Sequence, residues 1–142
     1  MNARILIVED DPLLNQMLVL HFEDDGHEVE GVMTCPDALD RFAASSYDLF
    51  LLDQQLPDGT GIEVLEEVLL REPDLPVVMM AGQHDLELAI EAIGKGAADF
   101  VHKPVETAQP EQIVSRLLEN RRLARVVAAL RGGVSLCGRT AT

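Results

Sequence analysis

Only two lysines occur in the 142 residues, Lys95 and Lys103, and the second has the more informative surroundings. Lys103 follows the stretch Asp99-Phe100-Val101-His102, and three other apolar runs also end in small or charged groups. Residues 5–8 lead into Glu9, Asp10 and Asp11, residues 49–52 into Asp53, and residues 77–81 into Gly82. If these run ends meet, the carboxylates of Glu9, Asp10 and Asp53 repel one another and their charge must be offset by a cation. A hard divalent ion with oxygen ligands and retained water suits such a set, and magnesium is the usual choice where phosphate is handled. Lys103 would add a flexible point charge matched to a phosphoryl oxygen. An aspartate carboxylate is a nucleophile toward phosphoryl groups, and a metal would neutralise charge developing on the transferred group.

Whether the groups meet depends on the elements that carry them. Residues 5–8, 49–52 and 77–81 are unbroken apolar runs, the pattern of strands buried on both faces of a parallel sheet. Residues 27–32 and 99–102 supply two further strands. Between them, apolar residues at helical spacing predict helices over about 12–25, 36–44, 62–69, 86–93 and 111–130, with Asp11 as N-cap before Pro12 and Gly132-Gly133 as the final stop. Pro57, Asp58, Gly59 and Gly61 mark residues 54–61 as a loop. Five strands alternating with five helices predict a doubly wound α/β fold with a five-stranded parallel sheet, because parallel neighbours need crossover helices. Such sheets bind ligands beyond the carboxyl ends of their strands.

Composition sets the bounds. With 47% hydrophobic residues, one domain with an ordinary core is expected, and no apolar run approaches the ~20 residues of a membrane span. A cytoplasmic protein without membrane partner is the expectation. Cys35 and Cys137 lack any C-x-x-C spacing and read as free thiols. The net charge of −14 argues against direct nucleic-acid binding. Residues 1–110 carry 23 acidic and 5 basic side chains, whereas residues 111–142 carry 2 and 6, so an acidic domain ends in a basic tail.

Four motifs stand in order along the chain: I-L-I-V-E-D-D-P at 5–12, D-L-F-L-L-D-x-x-L-P-D-G-T-G-I-E-V-L at 48–65, P-V-V-M-M at 76–80 and G-A-A-D-F-V-H-K-P at 96–104. Together they resemble the receiver domain of two-component response regulators over roughly residues 3–120. The resemblance implies a flavodoxin-like strand order of 2-1-3-4-5, with residues 1–120 as the receiver domain and 121–142 as a helical extension and C-terminal tail, either a linker or a stand-alone end. It implies Asp53 as phosphoacceptor, Glu9 and Asp10 as acid-pocket residues, and magnesium held by Asp10, Asp53 and the Gln55 backbone carbonyl, with Glu9 acting through water. Lys103 is implied as partner of the phosphoryl group and carboxylate, joined to Pro104 by a cis peptide. A sensor histidine kinase or phosphotransfer protein is implied as phosphodonor. The stretch at 56–65 and the basic extension around 119–123 are similar to receivers of enhancer-binding transcription activators.

One departure concerns switching. The family places Ser or Thr at the end of the fourth strand and an aromatic in the fifth; here those positions are Ala81 and Phe100, and no Ser, Thr or Tyr occurs between Gly61 and Glu106. A hydrogen bond to a charged group contributes roughly 1.5 to 3 kcal/mol, a large part of the ~5.5 kcal/mol that a full two-state shift needs. Three functions are weighed: a phosphorylated signalling switch, a docking module of the same fold uncoupled by Ala81, and a magnesium-dependent phosphatase, which lacks a second acid because Gln55 occupies that position. Asp58 reads as a turn former, Asp11 as a cap, Met79 and Met80 as core, and His84 and His102 as lacking companion ligands. Arg116, Arg121, Arg122 and Arg125 read as a solvated helix face. Two apolar stripes on the last helix, Ile113/Val114/Leu117/Leu118 and Leu123/Val126/Val127/Leu130, cannot pack on one sheet face, so the second is expected to meet another copy of the chain.

Overall fold

The computed structural model describes residues 2–82, 85–106 and 108–138, with side chains through residue 131; His84 and the Cys137 side chain lie outside the described set. In chain order the elements are β1 (Arg4–Val8), α1 (Pro12–Asp24), β2 (Glu28–Val32), α2 (Cys35–Ala44), β3 (Leu49–Asp53), β4 (Gln55–Leu56), β5 (Gly59–Thr60), α3 (Gly61–Arg71), β6 (Val77–Ala81), α4 (Leu86–Gly94), β7 (Asp99–His102) and α5 (Ala108–Gly138). The main sheet has the order β2-β1-β3-β6-β7 with every pairing parallel, which is 2-1-3-4-5 when only its strands are counted.

The unbroken apolar strands are explained by two cores. Side chains of successive strand residues point to opposite faces. Ile5, Ile7, Leu49, Leu51, Val78 and Met80 therefore meet Leu18 and Phe22 of α1 and Val114 and Leu118 of α5. Leu6, Val8, Phe50, Leu52, Val77 and Met79 meet α2, α3 and α4 on the other face. Each such fully buried aliphatic side chain contributes about 1.5 to 3 kcal/mol relative to exposure, so the central strands are held firmly enough to position charge at their ends.

Three details differ from the sequence expectations. Residues 54–61 are not wholly loop, since Gln55↔Thr60 and Leu56↔Gly59 pair as a small antiparallel ribbon. The last helix does not stop at Gly132-Gly133 but runs to Gly138; two glycines cost a helix only about 1 kcal/mol each and do not by themselves terminate it. Finally, of the α5 arginines only Arg121 departs from a solvated face, its side chain 15% exposed, while Arg116, Arg122 and Arg125 stay more than half exposed as expected. The helix passes the amino ends of the strands, where acids face it: Arg125 Nη1 reaches Asp48 Oδ1 at 3.3 Å, Arg121 Nη1 donates to the Asp74 carbonyl at 3.1 Å, and Arg116 Nη2 meets Asp99 Oδ2 at 2.7 Å. The second stripe is left uncovered, with Leu123, Val126, Val127 and Leu130 between 44% and 66% exposed.

Candidate functional site

The parallel sheet brings the carboxyl ends of β1, β3, β6 and β7 to one edge. Asp53 is the last residue of β3, buried apart from a 3% remnant, and opposite Met80 in the register. Glu9 follows β1 and is fully buried, held by its own backbone N–H donating to the Val32 carbonyl at 3.0 Å. Lys103 follows β7, and its N–H donates to the Ala81 carbonyl at 2.8 Å, which fixes the side chain beside the end of β6. The Lys103–Pro104 peptide is cis.

From these anchors the ammonium of Lys103 reaches Asp53 Oδ2 at 3.1 Å and Glu9 Oε1 at 2.9 Å. Asp53 Oδ1 accepts the Gln55 N–H at 3.3 Å, and Glu9 Oε2 accepts the Asp11 N–H at 3.0 Å. Asp10 is exposed, and oxygens of Glu9, Asp10 and Asp53 lie within 4.8 Å of one another. Asp11 does not join them: its Oδ1 accepts the Leu13 and Leu14 N–H groups and caps α1. Asp58 is also apart, its Oδ1 accepting the Cys35 N–H at 3.1 Å and tying the ribbon to α2.

Two buried acids share one ammonium, and their protonation shows the strain. Burial raises Glu9 to about 7, with the Asp11 N–H pulling the other way and Asp53 adding repulsion. Asp53 is raised too, by burial, against the opposing pull of Glu9's proton and Lys103. Lys103 loses solvation but is raised on balance by the two carboxylates. Glu9 Oε1 has only the Lys103 ion pair and no hydrogen bond of good geometry among the described residues. Three carboxylates against one cation leave negative charge uncompensated, and an all-oxygen donor set with a solvent-facing member suits magnesium.

Several supporting residues carry no signal strong enough to be singled out from sequence. Asn15 looks like any polar residue on α1, yet it is buried, and its Nδ2 donates to both the Glu9 and Val32 carbonyls at 2.9 Å, clamping the acid-bearing turn to β2. Gln55 Nε2 donates to Asp85 Oδ1 at 3.0 Å, spanning from the β3 turn to the start of α4. Gly61 is required by proximity: a Cβ there would strike the Asp53 carbonyl oxygen and Met79 Cε, while its N–H donates to the Gln54 carbonyl at 2.8 Å. At the two positions where the resemblance implies a switch, Ala81 is fully buried, and Phe100 is partly buried against the α2/α3/α4 core. Cys35 is a free, buried thiol raised to about 11 by burial, hence protonated and unreactive. No described helix is long and apolar enough to cross a membrane.

Known proteins are similar in sequence and in fold. The chain is 35% identical over 129 residues to the nitrogen assimilation regulatory protein NtrX of Azorhizobium caulinodans, matching 89% of this chain and 28% of that protein. It is 33% identical over 132 residues to the regulatory protein AtoC of Escherichia coli, covering 93% of this chain and 29% of the relative, so it spans under a third of either. Among solved structures, NtrX from Brucella abortus superposes on all of this chain and 32% of its own with a TM-score of 0.88 at 32% identity. A receiver domain from Clostridium thermocellum gives 0.81 at 27% identity over 86% of this chain and 98% of its own. The response regulator receiver domain model matches residues 5–119, the span that holds Glu9, Asp10, Asp53 and Lys103 at one sheet edge, and the chain belongs to that family.

Proposed function

We propose that the chain accepts a phosphoryl group on Asp53 from a sensor histidine kinase or phosphotransfer protein. The observation that supports this best is the buried Asp53 carboxylate held 3.1 Å from the Lys103 ammonium at the rim of the acid cluster. As a receiver domain the chain is a signalling module rather than an enzyme, which removes the phosphatase reading. An Asp53 carboxylate oxygen attacks phosphorus, the phosphorus–nitrogen bond of a phosphohistidine breaks, and the electron pair leaves with the imidazole. Lys103 then pairs with a phosphoryl oxygen, whose negative charge takes the place of the one that the Asp53 carboxylate gives up on phosphorylation. The Gln55 N–H, bonded to Asp53 Oδ1, orients the carboxylate. Magnesium, held by Asp10, Asp53 and the Gln55 carbonyl with Glu9 through water, would neutralise the phosphoryl oxygens. Incubation with a small phosphoramidate should add one phosphoryl mass, dependent on magnesium; a gain unaffected by chelation would remove the metal from the reading.

The buried methyl of Ala81 favours a second reading, in which phosphorylation is only weakly coupled to the outer surface and docking carries the output. The extension past residue 120 is proposed as a linker helix whose uncovered Leu123/Val126/Val127/Leu130 stripe packs on a second copy, in a regulator of transcription like the relatives. Nothing in the acidic domain suits direct nucleic-acid binding.

A further inference from the structure

Away from the acid pocket, where the end of α1 meets the first turn of α5, three side chains converge that the phosphoacceptor site does not use. His21 Nε2 lies 3.0 Å from Glu111 Oε2 and 4.0 Å from Asp25 Oδ2, and one donor atom of each residue lies within 4.8 Å of the others. His21 and Asp25 are four residues apart, the same-face spacing of a helix, while Glu111 arrives from α5. A simple ion pair would need one acid for the imidazole; here there are two, so the trio is electronegative whether or not His21 is protonated. All three side chains are partly exposed, at 24%, 39% and 46%, and an open cavity of about 350 Å³ lined by Asp25, Glu111 and Glu119 adjoins them.

We infer that His21, Asp25 and Glu111 form a binding site for a divalent ion of the zinc class, stapling α1 to α5. Imidazole with carboxylates selects zinc, cobalt or nickel over magnesium. With bonds of ~2.0 to 2.2 Å, ligand atoms of a tetrahedral zinc ion stand roughly 3.3 to 3.6 Å apart. The present separations of 3.0 and 4.0 Å from His21 bracket that range, and the Asp25 and Glu111 oxygens lie within 4.8 Å of each other, so side-chain rotations bring the three donors to one ion. Water from the adjoining cavity completes the shell. The metal takes the Nε2 lone pair, and any proton on that nitrogen is released. His27, also lining the cavity, is not a ligand: its Nδ1 accepts the Ala3 N–H at 3.1 Å, which leaves the hydrogen of the neutral ring on Nε2.

The test titrates the whole chain with cobalt chloride, then zinc chloride, in excess magnesium to occupy the acid pocket. Cobalt absorption reports ligation and amide chemical shifts report location. One equivalent should bind, with shifts around residues 21–25 and 108–115. His21→Gln and Glu111→Gln should each weaken binding at least the roughly 10- to 100-fold that losing even an outer-shell partner costs, whereas Asp10→Asn should not. Glu111 is exposed enough that its variant keeps the test available if the His21 variant folds poorly. Absence of binding at millimolar zinc, shifts confined to the neighbourhood of residues 9, 10 and 53, or unchanged affinity in both variants would overturn the inference.

Discussion

Replacing Glu9 with glutamine should stabilise the metal-free protein, and should do so only at high pH. Glu9 is fully buried, and its carboxyl is raised from 4.5 to about 7 chiefly by burial. The folded state therefore holds a proton that the unfolded state has already lost between those values, and stability falls as pH rises through this window. At about 1.36 kcal/mol per pH unit, the penalty above pH 7 has an upper bound of ~3 kcal/mol. Glutamine keeps an acceptor for the Asp11 N–H and leaves Lys103 paired with Asp53 at 3.1 Å, so the lost charge is not replaced by an orphaned partner. In chelator at pH 8, Glu9→Gln should gain ~1 to 3 kcal/mol, or about 3 °C in Tm per kcal/mol for a domain of this size. The gain should shrink toward zero near pH 5, and excess magnesium should shrink it at pH 8 by neutralising the wild-type cluster. Calorimetry across pH measures this directly. A variant less stable than wild type at pH 8 without metal, or a difference that does not change with pH, would refute the claim that uncompensated carboxylate charge dominates the pocket.

Lys103→Met removes the ammonium that pairs both buried acids, and a beryllofluoride analogue should bind about 10- to 100-fold more weakly, the worth of a hydrogen bond to a charged group, as read by amide shifts or calorimetry. Asn15→Ala leaves the Glu9 and Val32 carbonyls without their donor and should cost ~1 to 3 kcal/mol in urea unfolding, with weaker magnesium binding because the acid-bearing turn loosens. Ala81→Thr should enlarge the amide-shift response of α4 and β7 to beryllofluoride; equal responses in the two proteins would show the hydroxyl dispensable. Leu123→Glu with Val127→Glu should abolish self-association in sedimentation equilibrium, and an unchanged monomer–dimer constant would count against packing of this stripe on a second copy.

The elements and the acid site were legible because their signals are local. Residues 5–8, 49–52 and 77–81 are apolar without interruption, which only a strand buried on both faces tolerates at that length, and the first charged residue after each of the first two runs lies at the sheet edge. Parallel pairing then forces Glu9, Asp53 and Lys103 together without any knowledge of rotamers. What escaped depends on contacts between distant segments. Asn15 acts through carbonyls of residues 9 and 32, and the α5 arginines fold back on Asp48 and Asp74 because of where the helix passes, which its own pattern does not encode. The ribbon at 55–60 is two pairs long, too short for alternation to register. His21 and Glu111 stand 90 positions apart, and only the packing of α1 beside α5 joins them.

Of the three acids of the pocket, Asp53 is the one proposed to carry the phosphoryl group. Reductive trapping reads this without inference: borohydride converts an aspartyl phosphate to homoserine, which peptide mass spectrometry locates. After incubation with a phosphoramidate and magnesium, homoserine at position 53 and nowhere else is expected, and none should form in Asp53→Asn or when phosphodonor is omitted. Homoserine at position 10 or 58, or an unmodified Asp53 under conditions where the intact protein gains a phosphoryl mass, would contradict the account.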